Sequence, residues 1–263
     1  MLSLYFYRNM EHSFNIFLWI MVAIAIVVFV ALYFVKAGYG IFIDKKWGKT
    51  INNKLGWVLM EAPVCLSMFC FWIFSDRRFQ LVPLLIFIIF EIHYVQRTFI
   101  FPFLMRGTSR MPLAIMFMGI FFNLANAVMQ GYWLFYLSPT EKYANEWLLS
   151  PQFICGTIIF FAGFVVNIDS DRRIRNLRQP GDTKHYLPQG GMFNFVTSAN
   201  YFGELMEWAG FAILTWSFSG LVFFIWTFAN LVPRADAIYK RYKTEFAEQM
   251  QDKHLKRIFP FIY

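Results

Sequence analysis

An all-α, polytopic integral membrane protein is the fold class this sequence predicts, and three observations predict it. Hydrophobic residues make up 58% of the 263, and charged residues only 15%, against roughly 25% in soluble domains. The apolar residues fall in runs long enough to cross a hydrocarbon core of about 30 Å. No stretch shows the ~10-residue alternation of a transmembrane β-barrel. The expectation is one membrane domain, 1–263, with seven transmembrane helices enclosing a cavity for ligands.

In chain order, spans are expected at about 14–36, 57–75, 79–101, 112–137, 151–169, 201–216 and 218–233. Breaks fall where Gly, Pro and charge cluster: 38–56, SDRR at 75–78, RGTSRMP at 106–112, SPTEKYANEW at 138–147, and a long polar connector at 171–200. The first run has the position of a signal peptide. Its length, the lack of a small-x-small cleavage site and the spans that follow favour a retained helix. The sixth run is short for a crossing, and the charges decide its treatment. With seven crossings, nineteen Lys and Arg fall on one side and four on the other, with Arg97 inside a span. Merging the last two runs erases that bias. The positive-inside rule therefore puts the N-terminus outside and the C-terminus in the cytoplasm. A re-entrant hairpin over 201–233 gives the same count.

This asymmetry accounts for the net charge of +8, so nucleic acid is not an expected partner; the lipid bilayer is. The three cysteines, Cys65, Cys70 and Cys155, lie in apolar runs without CxxC spacing. They read as core residues, neither disulfides nor metal ligands. The four histidines are scattered, so no metal is expected, and neither a GxGxxG nor a P-loop lysine motif is present.

Polar groups at membrane depth are costly and usually face an interior. Glu61 sits in WVLMEAPVC, where it is either an interfacial acid or a buried one. Glu91, His93, Tyr94 and Arg97 crowd one stretch of the third run, with Tyr94 and Arg97 on a common face. Asn123, Asn126 and Gln130 share a face of the fourth, either joining helices or lining a cavity. Asn167, Asp171, Arg175 and Arg178 form one continuous face if the fifth helix extends beyond the membrane. QPG and PQGG then break the chain, and Ser198 and Asn200 are positioned to cap a helix with Glu204 and Glu207 in its first two turns. Arginine forks suit phosphate, and amides and carboxylates suit ribose hydroxyls and a carboxamide. The stretch 167–208 therefore reads as a site for a large anionic cofactor at the membrane surface.

These motifs resemble the steroid 5α-reductase (3-oxo-5α-steroid 4-dehydrogenase) family from about Gly38 to Tyr263, in the manner of a non-vertebrate member. YLPQGGMFNFVTSANYFGELMEW is similar to the family's PQGG…N(F/Y)xGExxEW signature. HYVQRTF (93–99) resembles HYxxRTF, MEAP (60–63) resembles E-x-P, NIDSDRRIRNLRQPG resembles NIxSDxxLRxLRxPG, and the chain ends in the family-like PFIY. Residues 1–37, the variable first helix, match little. Tyr186 stands where Arg is common, and the tail between Phe246 and Ile258 is slightly longer.

The resemblance implies reduction of the Δ4 double bond of a 3-oxo steroid, with NADPH as cofactor and a lipophilic, steroid-like substrate. Carried over by position, Glu61 and Tyr94 are the catalytic pair. Asn167, Asp171, Arg178, Asn200, Glu204 and Tyr242 are cofactor contacts, with Arg97, Arg106 and Arg175 as further basic contacts. The chemistry asks for a phenol hydrogen-bonded to a protonated carboxyl, donating to the carbonyl oxygen as the enolate forms. A multi-pass protein of a bacterial inner membrane or the endoplasmic reticulum, acting as a monomer, is expected. Three alternatives stay open: a trans-2-enoyl-CoA or polyprenol reductase of the same fold, an S-adenosylmethionine-dependent isoprenylcysteine methyltransferase-like enzyme, and a membrane transporter.

Overall fold

The computed structural model describes residues 2–36, 38, 40–107, 109–177, 184–251 and 254–263. Its long helices are α1 (Leu2–Phe34), α2 (Asn53–Ile73), α3, α4, α5 (Pro151–Asn176), α6 (Ala199–Thr215) and α7 (Phe218–Glu245). Helix α3 runs Leu81–Val95, passes through a wide π turn at Gln96–Ile100 and ends as Phe101–Leu104. Helix α4 runs Leu113–Ala127 and continues in wide π turns over Val128–Leu137. Six of these helices are long and apolar enough to cross a membrane; α6, at 17 residues, is shorter.

Local chemistry sets the boundaries. The Asn52 side chain accepts from the N–H groups of Lys54 and Leu55 and starts α2. Ser150 caps α5 through the Phe153 N–H, with Pro151 in the first turn. Trp216, in the left-handed region at φ 45, ends α6, and the Ser217 hydroxyl accepts from Gly220 to begin α7. That two-residue turn folds α6 and α7 into a hairpin.

Three boundaries differ most from expectation. Helix α1 begins at Leu2, before the apolar run, because nothing in the polar stretch Arg8–Ser13 breaks a helix. Helix α5 continues past 169 to Asn176, so Asp171 and Arg175 ride on it and the connector loses its first residues. Helix α7 continues past 233 to Glu245 because residues 234–245 keep one packed face.

The loops sort to two ends of the bundle. At one end, β1 (Thr50–Asn52) pairs antiparallel with β2 (Arg110–Pro112). There too, Thr197 and Ser198 donate backbone N–H bonds to the carbonyls of Lys256 and Arg257, and Arg241 donates to the Ile41 carbonyl. At the other end, Arg77 reaches Ser138 (2.8 Å) and Thr140 (2.9 Å), and Lys142 donates to the Trp216 carbonyl (2.7 Å). The charge-rich breaks are thus gathered with one another.

The centre of the core is aromatic. Trp208, 1% exposed, meets Phe90, Phe160, Phe211 and Phe223 edge-on. Beside it α5 and α6 touch backbone to backbone, because each offers glycines seven residues apart on the shared face. A Cβ on Gly163 would lie 2.6 Å from the Glu207 nitrogen, and one on Gly210 would lie 2.4 Å from the Phe160 nitrogen. Small residues matter here because lipid gives helices no hydrophobic reason to associate. Alanine at Gly163 or Gly210 is expected to cost ~1–3 kcal/mol by overpacking. Gly119→Ala is the control: its neighbour is the flexible Met60 side chain. Thermal unfolding in detergent should show the two α5–α6 variants falling well below Gly119→Ala.

Candidate active site

A cavity of about 660 Å³ opens between all seven long helices, with α5 contributing Asp171, Ile174 and Arg175. Its walls divide by chemistry. Met118, Phe122, Trp208, Phe223 and Trp226 make an apolar part, and Arg97, Arg106, Asp171, Arg175, Asn200 and Glu204 make a polar part. Glu61 and Tyr94 line it as well, from α2 and α3.

Helix α4 fixes both of these residues. The Asn123 amide donates to the Met60 carbonyl (2.8 Å) and to the Glu61 carboxylate (3.1 Å). The Asn126 amide donates to the Tyr94 hydroxyl (2.8 Å), and Gln130 braces Asn126 (3.4 Å) and the Ser219 carbonyl (3.0 Å). The three amides that sequence left open between gluing helices and lining a cavity therefore chiefly position the site. The expected phenol–carboxyl hydrogen bond is not formed, because each partner is held by a different asparagine. The Tyr94 oxygen is engaged only as an acceptor among the described residues, so its own proton is free to be donated. The ring is 3% exposed, wedged against Phe90, His93 and Trp208.

Beyond Tyr94 the π turn brings Arg97 into the polar wall. π bulges often mark functional positions, and here one carries the arginine that organises its surroundings. Arg97 donates to Asp171 (2.9 Å), lies 4.0 Å from Glu204, and rests against the rings of Trp57 (5.1 Å) and Phe101 (4.3 Å), which meet each other edge-on. The Asn200 amide reaches Asp171 at 3.4 Å. Asn167 does not line the cavity; its amide holds the Asn200 carbonyl (2.9 Å) and acts from behind. Tyr242 closes one side from α7, and Arg106 and Arg175 stand at the basic end. Arg178 lies outside the described residues.

The capping expectation needs correction. Ser198 occupies the position before α6, but its hydroxyl makes no cap bond. Asn200 is already inside the helix and turns its side chain to Asp171. The Ser198 Oγ is buried without a partner among the described residues, and Ser198 lines the cavity.

Several cavity residues carried no sequence signal as site residues. Trp57, Phe101 and Trp226 look like ordinary span residues, and Arg234 like a topology charge. Arg234 lines the cavity and donates to the Tyr201 hydroxyl (2.7 Å). His93 pairs with the fully buried Glu207 at 2.7 Å, linking two polar groups that sequence had placed in separate stretches. No cluster of metal ligands occurs among the described residues.

Helices of membrane-crossing length converging on a cavity that is polar on one side and aromatic on the other define an integral membrane protein with an internal site. The family model described as 3-oxo-5-alpha-steroid 4-dehydrogenase matches residues 109–263. The chain is 37% identical to steroid 5-alpha-reductase DET2 of Gossypium hirsutum, over 91% of this chain and 93% of that one. It is 39% identical to 3-oxo-5-alpha-steroid 4-dehydrogenase 1 of Homo sapiens over 81% of each chain, and 38% identical to the Macaca fascicularis protein of the same name over 86% of this chain and 84% of that one. The chain belongs to the steroid 5-alpha-reductase (3-oxo-5-alpha-steroid 4-dehydrogenase) family of membrane oxidoreductases.

Proposed function

We propose that the protein reduces the Δ4 double bond of 3-oxo-Δ4-steroids to 5α-dihydro products with NADPH. The observation that carries this reading is the placement of Tyr94. Its hydroxyl accepts from Asn126, its proton is uncommitted, and Glu61 shares its cavity. Negative charge grows on the 3-oxo oxygen as the enone is reduced, and a fixed O–H donor at that oxygen stabilises the transition state more than the ground state. Glu61, held by Asn123, serves as the second half of an acid–phenol couple that closes around the substrate oxygen. The apolar wall of Phe122, Trp208, Phe223 and Trp226 receives the fused rings and excludes water.

The polar wall fits the cofactor. Arg106 and Arg175 offer guanidinium forks to phosphate. Asp171, Asn200 and Glu204 offer acceptors and donors to ribose and carboxamide, with Asn167 behind them. Tyr242 flanks this end. The buried Ser198 Oγ is an orphan that a polar ligand would satisfy. When bound, the reduced nicotinamide supplies hydride for addition at C5 of the steroid.

The protein is read as crossing the membrane seven times, α6 included, since the loop contacts group the connections as seven traversals require. The C-terminus and the basic end then face the cytoplasm, of a bacterial inner membrane or the endoplasmic reticulum. The functional unit is read as a monomer.

The test is oxidation of NADPH by purified protein with testosterone or progesterone, with the product stereochemistry at C5 determined. The 5α product is expected, and NADPH alone should raise Tm; saturation at a hundredfold over Kd corresponds to ~2.7 kcal/mol. Stabilisation by S-adenosylmethionine and not by NADPH would overturn the reading, as would turnover of an enoyl-CoA and of neither steroid.

A further inference from the structure

A second cavity, of about 610 Å³, lies between the end of α1 and the last turns of α7, apart from the catalytic residues. Its floor is apolar, made by Leu32, Pro233 and Ala237, and its rim carries Lys36, Lys240 and Arg241. Membrane depth follows from sequence. The membrane-crossing segment of α1 ends at Phe34, two residues before Lys36, so the rim stands at headgroup level, where lysines place their ammonium groups.

The two carboxylates in this cavity are already matched. Asp236 accepts from Lys240 (2.6 Å) and Arg257 (2.5 Å), and Glu245 accepts from Arg241 (2.8 Å). Lys36 has no carboxylate within ion-pair distance among the described residues; its ammonium lies 5.6 Å from the centre of the Phe42 ring. A positive charge is left over the mouth of an apolar pocket. Beside it Phe34 is 83% exposed, a surface suited to acyl chain.

We infer that this α1–α7 cavity seats an anionic phospholipid, its phosphate on Lys36 and its glycerol and upper chain on the floor of Leu32, Pro233 and Ala237. A cation at this depth beside an apolar floor matches both halves of such a molecule, whereas a soluble anion would leave the floor uncovered. The site shares a wall with the larger cavity. Leu32 lines both cavities, Gly40 and Ile41 line the larger one, the Ile41 carbonyl is held by Arg241, and the Phe42 ring sits against Lys36, Arg234 and Arg241. A lipid bound here braces the turn that separates headgroup from active site.

The experiment compares the full chain in nanodiscs of phosphatidylcholine alone with the same nanodiscs doped with phosphatidylglycerol, by Tm and by native mass spectrometry. The expected result is a Tm higher by a few degrees with phosphatidylglycerol and a retained phosphatidylglycerol mass. Both should be lost in Lys36→Gln, a residue outside the catalytic cavity. Inorganic phosphate added to the neutral nanodiscs should not reproduce the shift. An equal response in Lys36→Gln would assign the effect to the general basic face and overturn the site. No response in the wild type would overturn it too, and reproduction by free phosphate would overturn the lipid as occupant. None of these readouts requires steroid or NADPH, so the inference and the proposed function fail separately.

Discussion

Tyr94→Phe is expected to lower the rate of steroid reduction by ~10²–10⁴-fold, the range typical for removal of a positioned proton donor, while leaving NADPH binding intact. The substitution deletes one oxygen and keeps the ring that packs on Phe90, His93 and Trp208. Its structural cost is a buried Asn126 amide that loses its acceptor, ~1–3 kcal/mol. The rate loss should fall on kcat more than on KM, because the phenol proton is needed where charge develops on the substrate oxygen. Glu61→Gln should lose less, since Asn123 and a neutral amide preserve the packing of that wall. Single-turnover kinetics with NADPH-induced thermal stabilisation as the binding control distinguish this from misfolding. A Tyr94→Phe enzyme that binds NADPH and turns over at nearly the wild-type rate would remove Tyr94 from the mechanism.

Much of this site was legible because membrane depth makes each polar residue informative. Glu61, Tyr94 and Arg97 stand out in apolar runs, and the cavity they line is where such residues are least costly. Motif spacing located Asp171, Asn200 and Glu204, which meet around one arginine. What spacing does not show is which neighbour takes each hydrogen bond. Asn123 and Asn126 share a helix face, yet nothing in that face says that one holds a carboxylate and the other a phenol. The π turn at Gln96–Ile100, which swings Arg97 toward Asp171, has no composition signal; QRTFI would continue an ordinary helix. The repeated glycines of α5 and α6 were visible as Gly156, Gly163, Gly203 and Gly210. Their meaning appears only once the two helices are known to be neighbours, since an isolated glycine in an apolar run also fits a bend.

Arg97→Leu is expected to be the most destabilising single change in the polar wall, at ~3–5 kcal/mol. The guanidinium is held by Asp171 at 2.9 Å and faces Glu204 at 4.0 Å, and its side chain and that of Asp171 are only 12% and 7% exposed. Leucine would keep an apolar contact with Trp57 and Phe101, so the loss is chiefly electrostatic. Two acids would remain in a low-dielectric wall without their common cation, a deficit that a neutral neighbour cannot relieve. Arg97→Lys keeps the charge but not the planar fork or its contact with the two rings, so it should fall between the wild type and Arg97→Leu. The double variant Arg97→Leu/Asp171→Leu removes one acid together with the cation and should recover part of the loss, giving a coupling of ~0.5–3 kcal/mol in a double-mutant cycle. Thermal unfolding in one detergent measures the wild type, Arg97→Lys, Arg97→Leu, Asp171→Leu and the double variant. Additive losses would mean that the two side chains do not share the bond, and a Tm unchanged in Arg97→Leu would show that the polar wall is held by other contacts.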